Sequence, residues 1–278
     1  MDIGLLAGLL LGLGSVVASF IWEGGKLGSL VNGPAMLIIF GGTAATTLIG
    51  LPLRKFLEAW RVFLKVAFDH KESPAELIQE LVMACEKARR EGLLALQKDV
   101  NKLKMPFAQK YMKMFINGTE PELIMEMSEL ELEHMRERHS SGSAVFNKMG
   151  GYAPTMGVIG TVMGLISTFS HAGGDPTALI KAIAGAFIAT FWGVGLANLV
   201  FLPIGDKLKN KHTEEVLLHA ITLEGISCIQ AGYAPRIVRT RLMAMLANKE
   251  QGAAEGPGGK RPAAGHKASA PAKEAVAA

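Results

Sequence analysis

Apolar residues along this chain are concentrated in long blocks, and the charged residues lie between the blocks. Four blocks reach the roughly 20 mostly apolar residues that an α-helix needs to cross a bilayer. None of the four contains Lys, Arg, Asp, Glu or His. They lie at about Ile3–Trp22, Pro34–Leu53, Gly151–Ser170 and Ala182–Ile204. The pattern predicts an all-α integral membrane protein with four transmembrane helices.

The four spans divide the chain into regions. Residues 1–53 hold spans one and two, and residues 54–150 form a predicted helical cytoplasmic domain. Residues 151–204 hold spans three and four, and residues 205–250 form a predicted cytoplasmic C-terminal helical region. Residues 251–278 are mostly Ala, Gly, Pro and Lys. A segment of this composition cannot build a core, so we predict a disordered tail.

Local signals inside the cytoplasmic domain predict helices and a break between them. Ser73 before Pro74 and Glu76 has the pattern of a helix start with a capping box. Gly92 suggests that this helix ends and a second one follows. A third helix is expected from about Thr119 through Glu137, with most of its acidic residues on a solvated face.

The positions of the basic residues predict the orientation in the membrane. Of the 29 Lys and Arg residues, 16 lie in residues 54–150 and 11 in residues 205–278. The two short loops hold only Lys26 and Lys181. Basic residues favour the cytoplasmic side, so both termini are predicted to be cytoplasmic. The net charge of +4 is therefore a topology signal, and we do not expect nucleic-acid binding.

Two cysteines exclude a disulfide framework. Cytoplasmic placement puts Cys85 and Cys228 in a reducing compartment, where we expect them to be small, unpaired core residues.

Spans three and four carry small residues at helical spacing. Small residues let membrane helices approach closely. On span three they are Gly157, Gly160, Thr161, Gly164 and Thr168, and on span four Gly185, Ala189, Gly193 and Ala197. Either the two spans simply pack on each other, or together they surround a further element.

Thr161 and Thr190 place hydroxyl groups at membrane depth. Each can bond back to a carbonyl of its own helix, or it can line a hydrated path and offer oxygen to a small hard cation. Membrane ion relays usually need an ionisable residue inside the bilayer, and no span has one. Either this chain moves no ions, or a partner supplies the titrating group.

Pro154 and Pro203 lie near the cytoplasmic ends of spans three and four. Proline removes a backbone donor and bends a helix. These two residues are either passive helix ends or hinges that couple the bilayer to the cytoplasmic domain.

Several stretches resemble the MotA/PomA family, the larger subunit of the ion-driven flagellar stator. The resemblance covers roughly residues 1–245. It is carried by Ala88–Leu96 (ARREGLLAL), Tyr152–Leu165 (YAPTMGVIGTVMGL), Ala197–Ile204 (ANLVFLPI) and Gly232–Pro235 (GYAP). Four spans with a large cytoplasmic domain between spans two and three agree with it.

The resemblance implies a homopentamer around a dimer of a single-span MotB/PomB-type partner in the bacterial inner membrane. That partner would supply the ion-carrying aspartate, and the pentamer would exert torque on the rotor protein FliG. No cofactor is implied beyond the transported Na⁺ or H⁺.

The resemblance also assigns roles to individual residues. Arg89, with Arg90 beside it, would face the rotor, and Pro154 and Pro203 would be needed for torque. Gln97 stands where the family usually has an acid. One ion pair with the rotor is therefore not expected to form as in the family, and the adjacent Lys98 and Asp99 are the residues that could compensate.

The resemblance favours sodium as the ion, with a proton-driven stator as the alternative. Sodium-driven members have Thr at the position of Thr161, where many proton-driven members have Ala. A hydroxyl can ligate Na⁺. Thr190 occurs in both groups and does not discriminate between them.

Three other classes of protein are weaker alternatives. An ExbB/TolQ-like energiser would resemble only the region of spans three and four and would have three spans. An enzyme would need converging acids, His or Cys, and the seven histidines show no ligand-type spacing. A passive channel would conduct when it is expressed alone.

Overall fold

The computed structural model describes residues 3–68, 73–170 and 176–246, and every regular element within those ranges is helical. The prediction of an all-α fold is therefore confirmed. The helices are α1 (Ile3–Trp22), α2 (Gly33–Ile49), α3 (Leu53–Phe68), α4 (Pro74–Glu91), α5 (Pro106–Ile116), α6 (Pro121–Ser170), α7 (Pro176–Leu196), α8 (Leu202–Gln230) and α9 (Pro235–Met243). The predicted disordered tail, residues 251–278, lies outside the described residues.

Three helical segments of the described chain are long and apolar enough to cross a membrane: α1, α6 and the segment from Leu179 to Gln230. The second predicted span is shorter than expected, because α2 ends at Ile49 instead of Leu53. The chain bends by 118° before α3 begins at Leu53. Pro52 accounts for this end, since a proline disfavours helical conformation in the residue before it. The 17 residues of α2 still match the lower limit for a span.

Two long rods connect the membrane region with the cytoplasmic domain. Helix α6 runs for 50 residues, so the predicted third cytoplasmic helix and the predicted third span are one continuous helix. Helix α7 continues into α8 through a π-helical turn at Ala197–Phe201. Pro154 lies inside α6 and Pro203 lies just after the π-helical turn. For Pro154, the interpretation as a passive helix end is therefore wrong.

The buried side chains form separate cores along these rods. The cytoplasmic core joins α4, α5, α8 and α9 around Leu81, Tyr111 and Ile221, which are fully buried. A second core lies where the rods leave the membrane, and there Phe146 of α6 packs with its ring centroid 5.1 Å from that of Trp60 on α3. A third, small core around Ile39 joins α2 to α7.

The ends of the cytoplasmic helices only partly follow the sequence signals. Ser73 occupies the N-cap of α4, but its side chain makes no capping hydrogen bond, so the capping box is wrong. Gly92 has φ of +85°, which ends α4 as predicted and is a conformation that favours glycine. Cys85 and Cys228 are both free and buried, as predicted.

Candidate functional site

The small residues of spans three and four bring α6 and α7 into backbone contact. A Cβ atom placed on Gly157 would lie 3.0 Å from the carbonyl oxygen of Ala189 and 3.3 Å from the Cα of Gly193. Along the same seam, Gly160 faces Ala189 and Gly164 faces Ala186, each at 2.7 Å from the added Cβ to the alanine Cβ. Gly185 instead faces the side chain of Asn32, which caps α2. The described chain thus uses these glycines for contact between its own helices.

Thr161 of α6 and Thr190 of α7 meet across this seam. Their Oγ1 atoms lie 2.5 Å apart. Thr161 Oγ1 is also 3.1 Å from the carbonyl oxygens of Gly157 and Ala186, and Thr190 Oγ1 is 3.4 Å from that of Gly157. Two hydroxyl and two carbonyl oxygens therefore converge at membrane depth. Each hydroxyl has one hydrogen and two lone pairs, so acceptor capacity remains for a cation.

This oxygen cluster is uncharged. No Lys, Arg, Asp, Glu or His occurs in residues 3–22, 34–49, 151–170 or 182–204. Thr161 and Thr190 are both partly buried, so neither is sealed in the core. The cluster can ligate a small cation, but it has no group that can bind and release a proton.

The predicted rotor-facing residues lie at the end of α4 and in the 3₁₀ turn that follows it. Arg89 and Arg90 are exposed in the last turn of α4, where cations also interact favourably with the helix dipole. Gln97 is exposed in the 3₁₀ turn at Leu93–Lys98. The structure thus brings these three residues to one exposed end of the cytoplasmic domain.

Asp99 differs from its neighbours because its carboxylate is already bound. It accepts hydrogen bonds from Lys102, at 2.6 Å, and from Lys87. These bonds lower the pKa of Asp99 to about 2. The acid that could compensate for Gln97 is therefore committed to lysines of its own chain.

Pro154 and Pro203 lie next to close contacts between the two rods. Between them, a Cβ on Gly150 would lie 2.5 Å from a methyl carbon of Leu202. The carbonyl oxygen of Ala153 lies 2.6 Å from the position of a Cβ on Gly193. Each proline therefore lies where its rod is held against the other.

Several polar groups in the cytoplasmic domain had no counterpart in the sequence analysis. The Tyr111 hydroxyl donates to Glu131 at 2.7 Å, and Lys110 binds the same carboxylate. His139 Nδ1 lies 3.2 Å from His212 Nδ1. These contacts join helices that are distant in sequence, so residue spacing gives no signal for them. Among the described residues, no group of three or more His, Cys, Asp or Glu side chains could hold a metal ion.

Known protein families match most of the chain. Residues 6–92 match the family described as Motility protein A N-terminal, and residues 99–220 match the MotA/TolQ/ExbB proton channel family. The N-terminal match covers spans one and two, which lie outside the region that an ExbB/TolQ-like energiser was expected to resemble.

Individual relatives agree over nearly their whole length. Motility protein A of Bacillus subtilis is 33% identical over 255 residues, which cover 90% of this chain and 93% of the relative. Chemotaxis protein PomA of Vibrio alginolyticus is 32% identical over 243 residues, which cover 87% and 94%.

Two solved structures have the same fold. A chain of C. jejuni MotAB is 29% identical with a TM-score of 0.84, and the match covers 89% of this chain and 97% of that one. A chain of the flagellar MotAB stator complex from Bacillus subtilis is 32% identical with a TM-score of 0.82, covering 88% and 96%. This chain therefore belongs to the MotA/PomA family, whose members are subunits of the flagellar motor stator and not enzymes.

Proposed function

We propose that this chain is the larger subunit of a stator unit that conducts Na⁺ and turns the flagellar rotor. Five copies surround a dimer of a single-span MotB/PomB-type partner in the bacterial inner membrane, and both termini of this chain are cytoplasmic. The similarity to chains of MotAB complexes supports a partner of this kind. The excess of Lys and Arg in residues 54–150 and 205–278 supports the orientation.

The oxygen cluster around Thr161 is the observation that carries this proposal. The spans offer hydroxyl and carbonyl ligands but no side chain that can neutralise a cation. An aspartate on the partner supplies the missing negative charge. Hydroxyl and carbonyl oxygens suit a hard cation such as Na⁺, whereas a proton needs only water and a carboxylate. The cluster therefore favours sodium over the proton.

The exposed end of α4 provides the contact with the rotor protein FliG. Arg89 and Arg90 are exposed there, and Gln97 beside them adds no charge of opposite sign. Asp99 is paired with Lys87 and Lys102, so it leaves the surface positive. The rotor surface that fits this end is acidic. A single exposed pair contributes only about 0–1 kcal/mol, so several such pairs share the contact.

The two prolines couple ion passage to movement of the cytoplasmic domain. Pro154 and Pro203 each lie in a rod that runs from the seam of glycines into the cytoplasm. Proline leaves one backbone carbonyl in its helix without a donor, so bending is easiest at these positions.

Swimming speed as a function of external Na⁺ tests the choice of ion. In cells that depend on this chain and its partner, replacing Na⁺ by K⁺ at constant proton gradient should stop swimming. Thr161→Ala removes one ligand, which should raise the Na⁺ concentration for half-maximal speed about tenfold, or about 1.4 kcal/mol. Thr168→Ala is the matched control, because the one hydrogen bond of the Thr168 hydroxyl within the described residues goes to the Gly164 carbonyl of its own helix. Swimming that persists without Na⁺ would overturn the proposal in favour of a proton-driven stator.

A further inference from the structure

Helix α3 runs at a large angle to α2, the membrane helix that precedes it. Three residues separate it from the end of α2, and it is turned by 118° from α2, which is within about 30° of perpendicular. Its inner face packs on the base of α6, where the ring centroids of Trp60 and Phe63 lie 5.1 Å and 5.8 Å from that of Phe146. Because the 17 residues of α2 reach the minimum length of a span by themselves, the turn of 118° puts α3 along the membrane at the level where the rods emerge.

A second apolar stripe on α3 has no partner within the described chain. Leu53, Leu57 and Leu64 lie on one side of the helix and are 60%, 50% and 54% exposed. The next side of the helix carries Arg54 and Arg61, which are also exposed. An apolar stripe flanked by basic residues is typical of helices that lie in a membrane interface.

The position of Lys55 indicates which way the leucine stripe points. Lys55 follows Leu53 by two residues, which places it about 200° round the helix and therefore on the opposite side. Its Nζ lies 3.5 Å from the Oγ of Ser141 on α6. Ser141 precedes Phe146, so it lies on the side of the contact away from the span. Because Lys55 points away from the bilayer, the leucines point towards it.

The charges on this part of α3 favour an anionic surface. Three basic side chains, Arg54, Lys55 and Arg61, accompany one acid, Glu58. Glu58 binds the Nε of Arg54 at 2.8 Å, which leaves the terminal guanidinium nitrogens of that arginine for another partner. Guanidinium groups bind phosphate oxygens well because two N–H donors can act in parallel.

We propose that α3 is an interfacial helix that binds anionic phospholipid in the cytoplasmic leaflet. Leu53, Leu57 and Leu64 insert among the acyl chains, and Arg54 and Arg61 bind the phosphate headgroups. A basic residue near an anionic membrane surface strengthens binding about fivefold. This site is separate from the ion pathway at Thr161, so it stands whichever ion the protein conducts.

Lipid selectivity in vesicles tests the role of the arginines. The full chain is reconstituted in phosphatidylcholine with trace spin-labelled phosphatidylglycerol or spin-labelled phosphatidylcholine, and the motionally restricted fraction of each label is measured. The protein should prefer phosphatidylglycerol about fivefold, and Arg54→Gln with Arg61→Gln should bring the preference close to parity. A control with Arg136→Gln and Arg138→Gln removes the same charge at exposed positions about 20 Å along α6 from the span, and it should keep the preference. An unchanged preference in the α3 variant would overturn the proposal.

The depth of the leucine stripe is tested independently of the arginines. A nitroxide on Leu57→Cys in the same vesicles should be more accessible to oxygen, which partitions into lipid, than to a water-soluble nickel complex. Cys85 and Cys228 are buried, so the label should react at the new position. Greater access to nickel would place α3 in the cytoplasm. Protection from both reagents would show that a second copy of the chain covers the stripe. Either result would overturn the proposal.

Discussion

Replacing Gly193 by alanine tests whether α6 and α7 are packed as closely as the oxygen cluster of Thr161 and Thr190 requires. A Cβ on Gly193 would lie 2.6 Å from the carbonyl oxygen of Ala153 and 3.0 Å from the Cα of Gly157, where ordinary contact begins at 3.4 Å. Both are backbone atoms and cannot rotate away, so the helices must separate by about 0.8 Å. Overpacking of this kind costs about 1–3 kcal/mol, and the higher helix propensity of alanine offsets about 1 kcal/mol.

The expected result is a lower melting temperature. A net loss of up to about 2 kcal/mol corresponds to a decrease of up to about 8 °C for a protein of this size. Thermal unfolding of the purified full chain in detergent, followed by tryptophan fluorescence, measures it. Gly151→Ala is the control, because its Cβ would meet nothing within 4 Å. It carries the gain in propensity without the clash, so it should melt at or above the parent temperature. Equal melting of the two variants would refute the close packing of α6 on α7.

Three further outcomes follow from the cytoplasmic domain. Arg89→Glu reverses a charge on the exposed end of α4 and should slow swimming at an unchanged level of the protein in the membrane; unchanged swimming would remove Arg89 from the rotor contact. Tyr111→Phe leaves Glu131 without one donor in a partly buried setting and should lower the free energy of unfolding by about 1.5–3 kcal/mol, measured by urea denaturation. Burial lowers the pKa of His139 and His219 to about 4, so the unfolded chain binds more protons below pH 6.5. The free energy of unfolding should therefore fall as the pH drops from 6.5 towards 4, by about 2 kcal/mol per histidine at pH 5. In the His219→Gln variant this fall should be about half of that in the parent protein, as measured by urea denaturation at each pH.

The apolar spans and the helical fold could be predicted because a bilayer imposes simple demands on sequence. A water-soluble protein rarely contains four uncharged, apolar stretches of about 20 residues each. The ends of elements were less predictable. The signals around Glu137 and Gly151 indicated two helices, yet no residue between them forces a break, and packing of Phe146 on α3 supports a single helix there.

The composition of the candidate site could be predicted, but its pairings could not. Spacing placed Thr161 on a face of small residues, whereas its distance to Thr190 depends on the register between two helices. Asp99 looked like a free acid in the sequence. Its partner Lys87 lies twelve residues earlier, across the break at Gly92, and only the folded chain brings the two together.

The uninterrupted length of α6 determines how far a small motion in the bilayer is carried. From Pro154 to the first residue, Pro121, the helix extends about 50 Å at 1.5 Å per residue. A tilt of one degree at Pro154 thus displaces the far end by about 0.9 Å. A tilt of a few degrees displaces it by more than the length of a hydrogen bond. Because a continuous helix is stiff, this displacement needs no refolding of the cytoplasmic domain.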